Sequence, residues 1–264
     1  FGGYNRYFLG QSLWNIFSKV PYGLRSMVSS SITKIHPQIW NIAGLMAGRF
    51  VSTLRDRAGD KMHKLAGVLS FKSSEDLYCQ FVSHWRDPSN VVLNSKEPKT
   101  ALTDENNQLC FDSLTQKMMF LDTVSYLPDD ILVKVDRAAM AVSLETRAPF
   151  LDHRILEFAW KLPDSMKIRN GQGKWILRQV LQKYVPNELI NRPKMGFGIP
   201  LDSWLREPLR DWAEELLNES RLRKENIFDP APITQKWEEH LSGKLNWQYH
   251  LWDVLMFQAW FEKQ

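Results

Sequence analysis

The chain has 264 residues, 44% of them hydrophobic, with 34 Lys and Arg against 30 Asp and Glu, a formal charge of +4. That length fits about one to two domains, and that apolar share excludes a wholly disordered chain. A sequence pI of about 9.0 is compatible with a phosphate-bearing partner without requiring one. The first residue is Phe1, not Met, no signal-peptide pattern follows, and the chain reads as a piece of something longer.

In chain order, apolar spacing and local punctuation predict helices at Ser12–Lys19, Pro37–Leu54, Arg57–Leu69, Ser74–Trp85, Asp112–Tyr126 and Asp129–Val142. Further helices are predicted at His153–Lys161, Gly173–Tyr184, Leu209–Asn218, Ile233–Leu241 and Trp247–Glu262. Asp112 and Asp152 are expected N-caps, because a short carboxylate accepts from exposed first-turn N–H groups. Pro186 follows the helix expected to end at Tyr184, where proline stops a helix. Residues 87–107, with Pro88, Pro98 and several Asn and Lys, are expected to form a long surface loop carrying an apolar patch at Val91–Leu93. Alternating strand-like segments are nearly absent, so the expected fold is mainly α.

Several function classes lack their signatures. The 2 cysteines, Cys79 and Cys110, form no CxxC pair, which argues against a disulfide scaffold or a cysteine-built zinc site and fits a reducing compartment. No apolar run reaches the ~18 residues of a membrane span. Ile39–Val51 is interrupted by Asn41 and Arg49, and the Trp-rich tail carries Gln248, His250, Asp253 and Gln258, as a packed two-sided helix does. GxGxxG, HExxH, GxSxG and EF-hand patterns are missing. Gly173-Lys174 resembles the end of a Walker A loop, but Ile168 replaces its first Gly and Trp175 its Ser or Thr. The six His are scattered, as surface or packed histidines are, and the 11 Trp do not interleave with cations as a nucleic-acid surface requires.

The informative region runs from Asp122 to Pro200. Asp136 and Arg137 fall on a helix whose apolar face is Ile131, Leu132, Val135, Ala138 and Ala139; they are either a solvated pair or part of a site. Glu145 and Arg147 follow in a non-helical turn beside Pro149, where catalytic groups concentrate. Glu145 there is either a base or the ion-pair partner of Arg147. Lys174 and Arg178 are spaced i,i+4, and two like charges on one face repel unless an anion lies between them. A phosphate or carboxylate partner and a plain exposed face both fit that spacing. Lys194 stands beside Gly196 and Gly198, as either a polyphosphate clamp or an ordinary turn.

Four segments, in order, make these signals converge. They are Tyr126-Leu127-Pro128-Asp129-Asp130-Ile131-Leu132-Val133-Lys134-Val135-Asp136-Arg137, Ser143-Leu144-Glu145-Thr146-Arg147-Ala148-Pro149-Phe150-Leu151-Asp152, Gly173-Lys174-Trp175-Ile176-Leu177-Arg178 and Arg192-Pro193-Lys194-Met195-Gly196-Phe197-Gly198-Ile199-Pro200. With them the chain resembles the C-terminal synthetase domain of glutamine-hydrolysing asparagine synthetases, over essentially its whole length. Phe1-Gly2-Gly3-Tyr4 looks like the segment directly after that family's acidic Gly-Asp-Gly-Gly-Asp-Glu-Leu stretch, and Leu251-Trp252 to Trp260 like its terminal helix. The insert before Asp112 is similar to that of a subgroup found with bacterial exopolysaccharide genes.

The resemblance implies the helical C-terminal part of an α/β ATP-pyrophosphatase domain, with its parallel sheet largely missing from this chain. It implies an ATP- and Mg²⁺-dependent ligase that adenylates the aspartate side chain. Ammonia from a glutaminase domain then attacks, AMP leaves and asparagine forms. By resemblance Glu145 is the base and Lys194 faces the pyrophosphate, assisted by Lys174 or Arg178. Asp136, Arg137, Arg147 and Asp152 shape the site or bind substrate. Cytoplasmic location and a homodimer of the full-length protein are expected, with no nucleic-acid partner. The chain lacks the family's Ser-Gly-Gly-x-Asp-Ser phosphate loop, its acidic stretch and its amino-terminal glutaminase cysteine. The isolated chain is therefore expected neither to bind ATP productively nor to hydrolyse glutamine. Relatives that amidate a sugar acid or close a β-lactam, and a non-catalytic helical module, remain the alternatives.

Overall fold

Short polar side chains set several of the helix starts. Ser113 accepts from Gln116 N at 3.1 Å, and Gln116 Oε1 accepts in return from Asp112 N at 3.3 Å. This reciprocal arrangement caps a helix by satisfying donors that have no partner in its first turn. The N-cap here is Ser113 and not Asp112, whose expected role is thereby corrected. Asp152 does cap its helix, accepting from Arg154 N at 2.8 Å. Asn218 and Asp229 do the same further on.

The computed structural model describes residues 1–36, 38–40, 58–103, 110–191 and 198–264, without the side chains of residues 60, 61, 63 and 64. The helix expected at Pro37–Leu54 lies almost wholly outside the described residues. The described α-helices are numbered in chain order. The first seven are α1 (Asn5–Phe17), α2 (Tyr22–Lys34), α3 (Ala58–Leu69), α4 (Ser74–Val82), α5 (Leu114–Val124), α6 (Val133–Met140) and α7 (His153–Lys161). They continue with α8 (Asp164–Lys167), α9 (Trp175–Leu181), α10 (Asn187–Ile190), α11 (Leu201–Arg206), α12 (Arg210–Leu216), α13 (Glu219–Glu225), α14 (Pro230–Leu241) and α15 (Gln248–Phe261). The fold is mainly α. Among the described residues the sheet is one antiparallel pair, β1 (Ile168–Arg169) with β2 (Gln172–Gly173). Its turn residues Asn170 and Gly171 have φ of 52° and 72°. That is the left-handed pair a two-residue hairpin needs, and Asn-Gly supplies it at low cost.

The chain divides into two compact units. Unit 1 comprises residues 1–82 and 99–193, and unit 2 comprises 83–98 and 194–264. In unit 1, α1 packs on α5 and α2 on α3. One cluster gathers Tyr7, Tyr78, Met118, Met119 and Leu121, and another gathers Ile32, Ala66 and Leu69. Several expected boundaries change here, and the helix expected at Ser12–Lys19 runs from Asn5 to Phe17 as α1. The helix expected at Asp129–Val142 opens as a π-helical turn, Leu127–Leu132, and only then becomes α6. Pro128 lies at the start of that turn, where a missing N–H does least harm. The helix expected from Gly173 begins at Trp175, because Gly173 belongs to β2 and Lys174 takes a left-handed conformation, φ 57°.

Unit 2 has its own core. Leu205, Ala213, Leu222, Ile233, Leu251 and Leu255 are fully buried, contributed by α11 to α15. Val91, from the 87–107 stretch, is 4% exposed in the same cluster. Its neighbour Val92 bridges Phe228, with Leu93 N donating to Ile227 O and Asp229 N to Val91 O, both at 2.8 Å. Helix α15 is two-sided: Leu251, Leu255 and Gln258 are buried, and Asp253 reaches His84 at 2.9 Å.

Candidate functional site

The residues singled out in the sequence fall into separate settings. Glu145 lies in the non-helical stretch after α6, ahead of the 3₁₀ turn Pro149–Leu151. Its carboxylate meets Arg147 at 2.6 Å, with the two side chains 69% and 85% exposed. A solvated pair of that kind adds at most about 1 kcal/mol. Both partners can therefore be redirected toward a ligand at little cost. Asp136 and Arg137 stand exposed on α6. On that stem Lys134 pairs with Asp130 at 2.8 Å. Asp152 is held by Arg154, whose guanidinium bonds pull its carboxyl down to a pKa of about 2. Its visible work is to cap α7.

Lys174 and Arg178 do not share a helical face. Lys174 sits in the left-handed residue just before α9, and its Cε lies against the backbone of Gly3. Arg178 donates to Gly173 O at 3.3 Å and to Asn191 Oδ1 at 2.9 Å. Lys194 lies outside the described residues. The structure thus pairs Glu145 with Arg147 and brings Lys174 and Arg178 to the exit of the hairpin. It leaves Asp136, Arg137 and Asp152 separate from either group.

What joins these settings is the opening of the chain. Phe1 O accepts from Lys174 N at 3.0 Å. Gly2 lies so close to the hairpin that a Cβ on Gly173 would fall far inside 3.0 Å of the Gly2 carbonyl oxygen. The Phe1 ring meets Phe150 edge-on, with centroids 5.8 Å apart. Sequence reasoning missed this junction. Asn170-Gly171 was its readable signal, since that dipeptide is the strongest short-range mark of a hairpin.

Unit 1 also holds an open cavity of about 680 Å³, lined by residues of α1, the starts of α4 and α5, Asp164 and Ile168. None of the sequence-predicted site residues lines it. Glu75, Lys117 and Asp164 on its wall already have partners. Lys117 pairs with Glu75, and Asp164 accepts from Ser113 at 2.7 Å and from Gln116 at 3.3 Å.

Among the described residues no three His, Cys, Asp or Glu come together to hold a metal ion, and no described helix is long and apolar enough to cross a membrane. With no Ser-Gly-Gly-x-Asp-Ser loop in the sequence either, the described residues do not by themselves fit Mg²⁺ or a nucleoside triphosphate.

A mainly helical chain is what the synthetase resemblance leads one to expect. The chain belongs to the asparagine synthase family, whose family model matches residues 1–262. Among its relatives is asparagine synthetase [glutamine-hydrolyzing] 1 of Bacillus subtilis (strain 168), 30% identical over 261 residues, which span 98% of this chain and 38% of that protein. A Mycobacterium tuberculosis protein provisionally named asparagine synthetase [glutamine-hydrolyzing] is 37% identical over 145 residues, 54% of this chain and 22% of its own length. Asparagine synthetase [glutamine-hydrolyzing] 3 of Bacillus subtilis (strain 168) is 26% identical over 187 residues, 69% of this chain and 30% of that protein. The chain thus spans well under half of these relatives. No solved structure matches it at a significant level.

Proposed function

We propose that this chain is part of the synthetase portion of an ATP-dependent amide-forming ligase, which converts aspartate to asparagine through a β-aspartyl-AMP intermediate. The observation that carries this reading is likeness along 98% of the chain to a glutamine-hydrolysing asparagine synthetase. ATP and Mg²⁺ are its proposed cofactors, and aspartate and glutamine-derived ammonia its other partners. The cytoplasm is its proposed location and a homodimer its proposed assembly.

Within that reading each residue has a defined task. Glu145 accepts a proton from ammonia as the nitrogen attacks the activated carboxyl carbon. Arg147 holds Glu145 in place until substrate arrives, as their 2.6 Å contact allows. Lys194 offsets the charge that develops on the departing pyrophosphate, with Lys174 and Arg178 as secondary cations. Asp152 acts by fixing the start of α7. Asp136 and Arg137 supply polar contacts from α6.

The test is to incubate the full-length protein with aspartate, labelled ATP, Mg²⁺ and either ammonia or glutamine. AMP and asparagine in equal amounts are expected. AMP formed only with some other carboxylate would move the protein to a relative that amidates that acid. No AMP with any carboxylate would leave a non-catalytic helical module.

A further inference from the structure

Asp122 is 4% exposed. It accepts from four donors: Arg6 Nε at 3.2 Å, a terminal Arg6 nitrogen at 2.6 Å, Tyr78 Oη at 2.6 Å, and Tyr7 Oη. These donors come from α1 and α4, and Asp122 itself from α5. The Arg6 guanidinium lies against two rings, 4.3 Å from the centroid of Tyr4 and 4.8 Å from that of Tyr126. Tyr4 and Tyr126 also meet edge to face at 5.8 Å.

A buried ion pair adds little net stability over apolar side chains of the same size. Its forked, two-nitrogen to two-oxygen geometry does fix an orientation that apolar packing leaves loose. Burial first, and then the bond to Asp122, push both tyrosine hydroxyls above their ordinary range. They therefore stay protonated and donating at any working pH, which makes the cluster a fixed brace and not a switch.

Its reach extends to every described segment that carries a candidate residue. Four residues before α1, Phe1 touches Phe150 in the turn after Glu145 and Arg147. Phe1 O and the backbone of Gly2 and Gly3 rest on Gly173 and Lys174. Tyr126, whose ring also lies against Arg6, leads directly into the π-turn and α6 with Asp136 and Arg137. We propose that Arg6 and Asp122 are positioning residues of the amide-forming site, bracing the segment Phe1–Tyr7 so that these three segments keep one mutual arrangement. The proposal rests on the function proposed above.

The test uses the full-length protein and three variants. Arg6→Lys keeps the charge and loses the fork, Asp122→Asn is isosteric, and Tyr126→Leu removes one of the two rings against Arg6 without touching the ion pair. Hydrogen exchange is followed at 144–152 and 170–176, and kcat and KM for asparagine formation are taken per folded molecule. Exchange should rise in those two segments ahead of the rest of unit 1. With it kcat should fall roughly tenfold or more, since small misplacements cost that much, while KM for aspartate changes less. Tyr126→Leu should show the same pattern more weakly, and decides the matter if the charge variants do not fold. Unchanged exchange at both segments overturns the proposal. So does a uniform rise across unit 1 with normal kcat and KM in the folded fraction. A wild type that makes no asparagine overturns the functional reading instead, and the exchange data still decide the brace.

Discussion

Replacing Gly173 with Ala tests the junction between the chain opening and the hairpin directly. The new Cβ would fall far inside 3.0 Å of a backbone oxygen, that of Gly2. A side chain could rotate away, but a carbonyl moves only with its segment. Overpacking of this kind costs about 1–3 kcal/mol. The shift also strains the bond from Lys174 N to Phe1 O, 3.0 Å long, which contributes about 1 kcal/mol. The sum is a loss of about 2–4 kcal/mol, slightly offset by the stiffer unfolded chain. Two other glycines calibrate it. Gly171 has φ 72° and open space around its Cβ position, so Gly171→Ala should cost about 1–2 kcal/mol from left-handed strain alone. Gly23 lies in the first turn of α2 with nothing within 4 Å. There Ala should stabilise by about 0.5–1 kcal/mol. Urea unfolding of unit 1, followed by far-UV circular dichroism, measures all three. If Gly173→Ala costs no more than Gly171→Ala, the close approach of Gly2 to the hairpin is not what requires glycine, and the reasoning fails.

The core of unit 2 should respond by burial. Ile233→Ala, at a fully buried site, should cost about 2–5 kcal/mol, whereas Val142→Ala, 75% exposed, should stay within about 0.5 kcal/mol; thermal unfolding separates them. Two histidines of unit 2 should titrate in opposite directions by NMR. The carboxylate of Asp253 raises His84, so its stabilisation is complete below the unfolded pKa and fades as pH climbs through the raised value. Burial first, then Lys236, lowers His250 to about 4. Its contribution is complete above the unfolded value and is lost as pH falls from about 6.5 toward 4. A His250 that titrates normally would refute its burial among Trp85 and Trp247. In the full-length protein, Glu145→Gln should abolish amide formation while leaving the circular dichroism spectrum intact, because the side chain is largely exposed. Lys194→Ala should slow adenylation or pyrophosphate release, read as AMP formed per minute. Wild-type turnover in both variants would sink the site assignment.

Amphipathic helices were the legible part of this fold. His153–Lys161 matches α7 to the residue, and Trp247–Glu262 overshoots α15 by one residue at each end. Their apolar residues recur at helical spacing, and that periodicity is local information. Helix α2 escaped because Ser29, Ser30, Ser31 and Thr33 break its apolar stripe and Pro21 caps it without a side-chain bond. The mainly α character was readable from the scarcity of alternating segments, whereas the described hairpin showed only in its Asn170-Gly171 turn, because two-residue strands show no alternation. In the site, Glu145 was rightly placed in a non-helical turn beside Arg147. The brace was invisible, since Arg6 and Asp122 are separated by 116 positions and neither belongs to a motif. No local pattern records a contact of that range. Lys174 was expected on the helix and stands just before it, because a left-handed residue before a helix looks in sequence like the helix's first turn.

Unit 2 is built from two pieces of chain, with residues 99–193 between them. Val91 enters its core from the first piece, and every other buried member comes from the second. Closing so long a loop from a disordered state costs roughly 4 kcal/mol on the (3/2)RT ln n scaling. A folded intervening segment removes much of that entropy. Substitutions that melt unit 1 should therefore weaken unit 2 through the covalent chain. The order of synthesis gives the same dependence a direction. Val91 leaves the ribosome long before Leu205 or Leu255 exists, so the last-made helices complete a core whose first strand of chain has been waiting for them.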